Sequence, residues 1–364
     1  MTYLDYQATT PLAPEALAAM LPWLESQHAN PHSSHKAGRA ARAAVEVARE
    51  QVAVPLPAGG TLSFTSGATE ALNWALKGCG EGRIVTIATE HAAVLDTVRA
   101  LEATAREVVV LPVGGDGLVD MAAAREAIRP GTALVAAMLV NNEIGVIQPV
   151  ADLAALAHEA GALMLCDAVQ GYGRVAIPAE CDLIAISAHK IHGPKGIGAL
   201  WIRNGVTLDP LLHGGGQEAA GRSGTLSPAL CAGFGAAAAL AAERREADAA
   251  HVAALFDAAI DALGSDWVIN GSVEARYRGN LNIRREGVDV NRLMSELRDI
   301  AFSAGSACAS GSGRSSHVLR GIGLTDREAR SSIRIGFGRY TQTEELTAAM
   351  KRIDEAATSQ RVSA

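Results

Sequence analysis

The chain has 364 residues, 49% of them hydrophobic and 20% charged, the balance of an ordinary globular protein and long enough for two domains. Its formal net charge of -7 offers no basic footprint for nucleic acid and argues against an anionic membrane surface as partner. No apolar run reaches the length of a transmembrane helix.

The opening residues Met1–Tyr6 lack a basic segment followed by an apolar one, so no secretory signal is read there. The five cysteines, Cys79, Cys166, Cys181, Cys231 and Cys308, form no Cys-x-x-Cys pair. Free thiols in a reducing cytoplasm are the expectation. Residues 61–65 predict a short strand, and Ser66-Gly67-Ala68-Thr69-Glu70 opens a helix. Further apolar strands are expected at 83–88, 133–140, 162–166 and 182–187. Ala/Leu-rich helices are expected at 92–104, 120–128 and 151–160. This alternation implies an α/β fold with a mostly parallel sheet covered on both faces. Near residue 245 the pattern changes to helices at 228–245 and 247–263, short strands at 281–283 and 332–336, and a terminal helix from Glu344. Residues 13–245 are read as a large domain, and 1–12 with 246–364 as a smaller α+β domain. The few residues before Thr10 are expected to pack against one of the two.

In a parallel sheet, function gathers at the carboxyl ends of the strands. Five polar motifs follow expected strands: Ser66–Thr69, Glu90-His91, Asn141–Glu143, Asp167–Gln170 and Ser187–Lys190. Lys190 directly follows a buried strand in a polar Gly/Pro-rich loop. An amine there can form a Schiff base with an aldehyde cofactor once its surroundings lower its pKa. Lys195 competes for the role, but it lies between Pro194 and Gly196 in a turn. Asp167 closes a buried strand, which is costly without a partner. A protonated pyridine nitrogen is such a partner, and a helix N-cap is the plainer alternative. Small residues at Ser66–Thr69 let backbone approach a phosphate at a helix start. The Gly-x-Gly-x-x-Gly turn of a dinucleotide site is missing. His91 is placed to stack on a flat ring and move protons. Arg334, inside an apolar strand pattern, wants a carboxylate, either a substrate's or that of an internal salt bridge. Cys308 lies in Ser303–Gly313, a small polar stretch read as a mobile loop with a reactive thiol. The spacing of His28, His32 and His35 fits no zinc motif, so no metal is expected.

Together and in this order, these motifs resemble the cysteine desulfurases of the class V aminotransferase family. The likeness starts at Leu4–Pro11, takes in the Lys190 and Cys308 segments and ends at Ser331–Arg339. It implies a pyridoxal-phosphate enzyme of fold type I, with a mostly parallel seven-stranded sheet in the large domain. By resemblance, Lys190 holds pyridoxal 5'-phosphate, Asp167 pairs with its pyridine nitrogen, His91 stacks on the ring and Gln170 meets the phenolic oxygen. Ala68, Thr69, Ser187 and His189 would bind the phosphate, joined by Thr225 of a neighbouring subunit in a homodimer. Asn142 would contact the cofactor, and with Arg334 would hold the substrate carboxylate. The implied reaction takes sulfur from L-cysteine onto Cys308 as a persulfide, leaves L-alanine, and passes the sulfur to an acceptor protein or thiol. The C-terminus is shorter than that of the housekeeping iron–sulfur desulfurases, so the acceptor stays open among iron–sulfur assembly, tRNA thiolation and cofactor synthesis. Sister activities on the same scaffold are a selenocysteine lyase, a cysteine sulfinate desulfinase and an aminotransferase; a non-catalytic sulfur-transfer subunit is the alternative of another class.

Overall fold

The computed structural model describes residues 1–218, 221–305 and 315–362. Strand β1 (Thr2–Tyr3) precedes helices α1 (Pro14–Glu25) and α2 (Lys36–Ala53). Then come β2 (Gly60–Thr65), α3 (Ala68–Gly78), β3 (Arg83–Ile87), α4 (Ala92–Glu102), β4 (Val108–Leu111), α5 (Met121–Ala127) and β5 (Thr132–Met138). The series continues with α6 (Val150–Glu159), β6 (Leu163–Asp167), β7 (Leu183–Ser187), the 3-10 turn Ala188–Lys190 and β8 (Gly198–Arg203). Helices α7 (Pro228–Glu243) and α8 (Arg245–Asp261) lead to β9 (Val268–Ile269), β10 (Asn280–Arg284), α9 (Val290–Glu296), β11 (Ile300–Ala301) and β12 (Ser303–Ala304). Beyond residue 315 lie α10 (His317–Gly321), α11 (Asp326–Arg330), β13 (Ser332–Gly336) and α12 (Thr343–Val362). Among the described residues, no helix is long and apolar enough to cross a membrane.

Among the described residues, β2 to β8 form a seven-stranded sheet in the order β2-β8-β7-β6-β5-β3-β4. Its strands run parallel except β8, which is antiparallel to both β2 and β7. Alternate residues of each buried strand face opposite sides. Val135 and Ala137 join one apolar cluster, with α1, α2, α6 and α7. Leu134 and Ala136 join the other, with α3 and α4. A covered sheet of this kind explains the near-continuous apolar runs. Strands β4 and β8 and helices α1 and α2 go beyond those read from the sequence. Strand β4 is only four residues long, and β8 follows a Gly/Pro-rich loop that hides its start.

A four-stranded sheet, β12-β13-β10-β9, packs with α8, α9 and α12 around a separate core that includes Phe256, Leu293, Ile335 and Met350. The N-terminal residues touch both parts, a correction to the expectation that they join one. Leu4 is buried in the smaller core. Thr10 donates from its N–H (3.0 Å) and its hydroxyl (2.9 Å) to the carbonyl of His189.

Candidate active site

The loops leaving β2, β3, β5, β6 and β7 border one cavity of about 670 Å³, within the usual range for a small-molecule site. It is lined by Ala68, Thr69, His91, Asn142, Asp167, Gln170, Ser187, His189, Lys190 and Arg334, all expected at a site from the sequence. Thr225 is exposed and does not line this cavity. Cys308 lies outside the described residues.

Lys190 ends the 3-10 turn that follows β7. Its Nζ donates to the carbonyl oxygens of Gln7 (2.6 Å) and Ala8 (2.8 Å). Burial, together with the charges of Arg174 and Arg334, lowers its pKa to about 8, against the opposing pull of Asp167 and Asp5. Arg174 donates to Gln170 Oε1 (2.9 Å) and to the Lys190 carbonyl. The sequence reading missed Gln7, Ala8 and Arg174. The first two act through main-chain carbonyls, which carry no residue signature. Arg174 follows an unremarkable Gly-Tyr-Gly turn.

Asp167 ends β6 and is buried at the cavity wall. Burial raises its carboxyl pKa, while the Val169 N–H, His91 and Lys190 pull it back. The Val169 N–H donates to its Oδ1 at 3.0 Å. The helix-cap alternative does not hold, because no helix opens there. His91 is the N-cap of α4, its Nδ1 accepting from the Ala93 N–H at 3.1 Å. That bond leaves Nε2 to carry the proton of the neutral ring. Burial also lowers the His91 pKa, with Asp167 opposing. Glu90 beside it is buried, its carboxyl raised well above the ordinary range by burial and by Asp167. Glu90 Oε1 accepts from the Met138 N–H at 2.6 Å, and Oε2 has no partner among the described residues.

Elsewhere on the cavity wall, α3 starts at Ala68 behind the N-cap Gly67, with no side-chain cap. A Cβ on Gly67 would meet nothing within 4 Å. Uncapped N–H groups at a helix start, with open space before them, make an anion site. His189 sits nearby, its Nδ1 3.2 Å from the Thr9 hydroxyl. Its pKa falls to about 4 through burial and the charges of Lys190 and Lys195. Gln170 Nε2 spends one hydrogen on the Gln7 carbonyl (2.9 Å), which leaves the second free.

Arg334 on β13 is only 1% exposed. Its Nη2 donates to Asp5 Oδ1 (2.6 Å) and Ser303 Oγ (3.3 Å), and its Nη1 to the Asn142 carbonyl (3.2 Å). The internal salt bridge foreseen as an alternative is therefore present. Arg334 Nε still has no partner among the described residues, and a buried guanidinium donor left unpaired is costly. Arg334 also lines the cavity, where a guanidinium suits a carboxylate. His35, one of the three histidines in the early loop, caps α2 by accepting from the Gly38 N–H at 3.2 Å.

Residues 2–348 match the model of the family described as Aminotransferase class-V. The "Cysteine desulfurase IscS" of Rickettsia bellii is 44% identical, with 96% of this chain and 90% of that protein covered. Among solved structures, a "NIFS-LIKE PROTEIN" superposes with a TM-score of 0.90 at 33% identity over 98% of this chain and 99% of that one. A structure titled "SspA in complex with cysteine" superposes with a TM-score of 0.83 at 36% identity over 94% of this chain and 100% of that one. The chain belongs to the class-V aminotransferase family, in its cysteine desulfurase branch.

Proposed function

We propose that the protein is a pyridoxal-phosphate-dependent cysteine desulfurase that moves sulfur from L-cysteine to Cys308 and on to an acceptor protein or thiol. One observation carries the reading. A buried amine of lowered pKa (Lys190) and a buried carboxyl (Asp167) share a cavity with an uncapped helix start and the guanidinium side chain of Arg334. These features fit the cofactor's aldehyde, pyridine nitrogen and phosphate, and the substrate's carboxylate. Lys190 would hold the cofactor, with Asp167 on the pyridine nitrogen, His91 on the ring and the free Gln170 hydrogen on the phenolic oxygen. Ala68, Thr69, Ser187 and His189 would take the phosphate, with Thr225 from a second copy of the chain.

When bound, the cofactor supplies an electron sink for the bonds around the substrate Cα. Arg334 and Asn142 orient the substrate carboxylate. Once displaced by the substrate amine, Lys190 is the free base that moves the Cα proton. His91 remains neutral while it caps α4, because protonating Nδ1 would break its bond to the Ala93 N–H; it serves as a stacking ring and an Nε2 donor. The Cys308 thiolate attacks the substrate sulfur. A sulfur–sulfur bond forms, the carbon–sulfur bond breaks, and its electron pair, after protonation, leaves alanine. The free thiols of Cys79, Cys166, Cys181 and Cys231 fit a cytoplasmic setting.

The test is release of alanine and, with a reductant, sulfide from L-cysteine by the protein loaded with pyridoxal phosphate. Lys190→Ala is expected to abolish both the visible absorbance of the bound cofactor and turnover. Cys308→Ala is expected to keep the absorbance and lose sulfur transfer by about a hundredfold or more. A wild-type protein that stays colourless with pyridoxal phosphate, or a Cys308→Ala variant of full activity, would sink the reading.

A further inference from the structure

The proposed chemistry leaves two buried acids of the strand-end motifs unused, Glu90 and Glu143. Glu143 is 3% exposed. Burial pushes its carboxyl up to about 7, against the Ser316 hydroxyl and the Arg334 charge. Its turn is fixed from several sides. Asn141 Oδ1 accepts from the N–H groups of Glu143 (2.8 Å) and Ile144 (2.9 Å), and Asn141 Nδ2 donates to the Thr89 carbonyl (2.8 Å). Asn282 on β10 donates to the Glu143 carbonyl (3.0 Å). From this rigid turn Asn142 lines the cavity, and the Glu143 carboxylate accepts from the Ser316 hydroxyl. Ser316 Oγ in turn accepts from the Leu319 N–H at 3.0 Å, capping α10. The next residue, His317, bonds the Glu90 carbonyl through Nε2 at 2.8 Å. Two consecutive residues, the first of them eight positions past Cys308 in the chain, are thus docked on the loops that follow β5 and β3.

We propose that Glu143 is a positioning residue for the sulfur-transfer step, because its bond to Ser316 ties the chain returning from Cys308 to the same turn that presents Asn142 to the substrate. The inference rests on the desulfurase reading. A carboxyl costs more to bury than an apolar side chain of similar size. What it gives in return is a bond of fixed direction between the turn that carries Asn142 and Ser316, where the described chain resumes after Cys308. Misplacement of a reacting group by about 1 Å can cost roughly a hundredfold in rate.

The test uses the full protein loaded with pyridoxal phosphate and compares Glu143→Ala, Glu143→Gln and Ser316→Ala with wild type. Three quantities are read: the spectral change on adding cysteine, the single-turnover rate of Cys308 persulfide formation by mass spectrometry, and the rate of Cys308 alkylation by iodoacetamide. Glu143→Ala and Ser316→Ala are expected to keep the cofactor absorbance and half-saturating cysteine within about twofold, while persulfide formation slows by about tenfold or more. Glu143→Gln keeps an acceptor for Ser316 and is expected to stay within about threefold of wild type. A wild-type persulfide rate in Glu143→Ala overturns the proposal. So does a Glu143→Gln defect as deep as that of Glu143→Ala, or a parallel loss of cofactor absorbance. If wild type draws no sulfur from cysteine, the desulfurase reading fails and alkylation decides alone. A several-fold change in Glu143→Ala, restored in Glu143→Gln, keeps the tie; equal rates in all four proteins end it.

Discussion

The Lys190 amine sits against two main-chain carbonyls, with burial and the charges of Arg174 and Arg334 lowering its pKa to about 8. Only the unprotonated amine attacks a carbonyl. At pH 7 a group of pKa about 8 is roughly one-tenth free base, where an ordinary lysine is free at a level of about one in several thousand. The rate at which the apo protein takes up pyridoxal phosphate, followed by visible absorbance, should therefore climb about tenfold per pH unit and level off near pH 8. A positive neighbour lowers a lysine pKa, so Arg174→Gln should raise it, shift the plateau to higher pH and slow uptake at pH 7. A wild-type rate still climbing steeply above pH 9 would contradict the lowered pKa. The sequence shows Lys190, Asp167 and His91 because each is a polar residue that closes or follows an apolar strand run, where a parallel sheet places its site. It does not show what tunes them. The Gln7 and Ala8 carbonyls and Arg174 come from segments far from Lys190 along the chain, or carry no distinctive pattern. Glu143 was visible only as part of a motif, because its partner Ser316 is 173 residues away.

Among the elements, β8 decides how tightly the site closes. It runs antiparallel between β2 and β7, and Gly198 pairs with both Thr65 and Ser187, the last residues of those strands. A Cβ on Gly198 would lie 2.5 Å from the Ile186 carbonyl oxygen and 2.8 Å from the Gly67 backbone. Both obstacles are main chain, so no side chain can swing away. Gly198→Ala should push apart the turn at Gly67 and the end of β7, the two sides of the proposed phosphate site. The expected cost is about 1–3 kcal/mol in urea denaturation, with affinity for pyridoxal phosphate weaker by about tenfold in a fluorescence titration. Unchanged affinity would mean that the turn does not bind the phosphate. Strand β8 is also where the sequence reading fell short. Its apolar stretch follows Gly193-Pro194-Lys195-Gly196, and turn residues of that kind read as loop until tertiary pairing gives them neighbours. Apart from the short β4, the alternating strands and helices from β2 to β7 are legible because a sheet buried on both faces demands continuous apolar runs. The N-terminal segment was read as packing on one part only. Its bonds to His189 and its place beside Ile300 and Gly336 depend on contacts hundreds of residues apart.

At the scale of the whole molecule, Thr225 is exposed and away from its own chain's cavity, a poor place for a cofactor ligand unless it serves another copy. Its surroundings are held in place nonetheless. Arg222, three residues earlier, donates to Glu70 Oε1 at 2.7 Å, and Glu70 Oε2 accepts from the Ser66 N–H at 2.7 Å, so this loop and the turn before α3 share one carboxylate. Helix α7 begins three residues after Thr225 and packs against α1. On α1, Leu17, Leu21 and Leu24 lie exposed at helical spacing, an apolar stripe suited to a second copy. If Thr225 acts across the subunit boundary, defects at Lys190 and Thr225 complement each other. A dimer of one Lys190→Ala chain and one Thr225→Ala chain places both defects in one site and leaves the other intact. Random reassortment of equal amounts puts about half the chains in such dimers, so about a quarter of all sites recover full wild-type chemistry. Co-refolded mixtures should then release alanine faster than the two variants assayed apart, by about a quarter of the wild-type rate. If Thr225 served its own chain, every site with an intact Lys190 would carry the Thr225 defect, and mixing would add nothing. Complementation therefore separates a shared cofactor site from two independent ones, even where size measurements report a dimer in both cases.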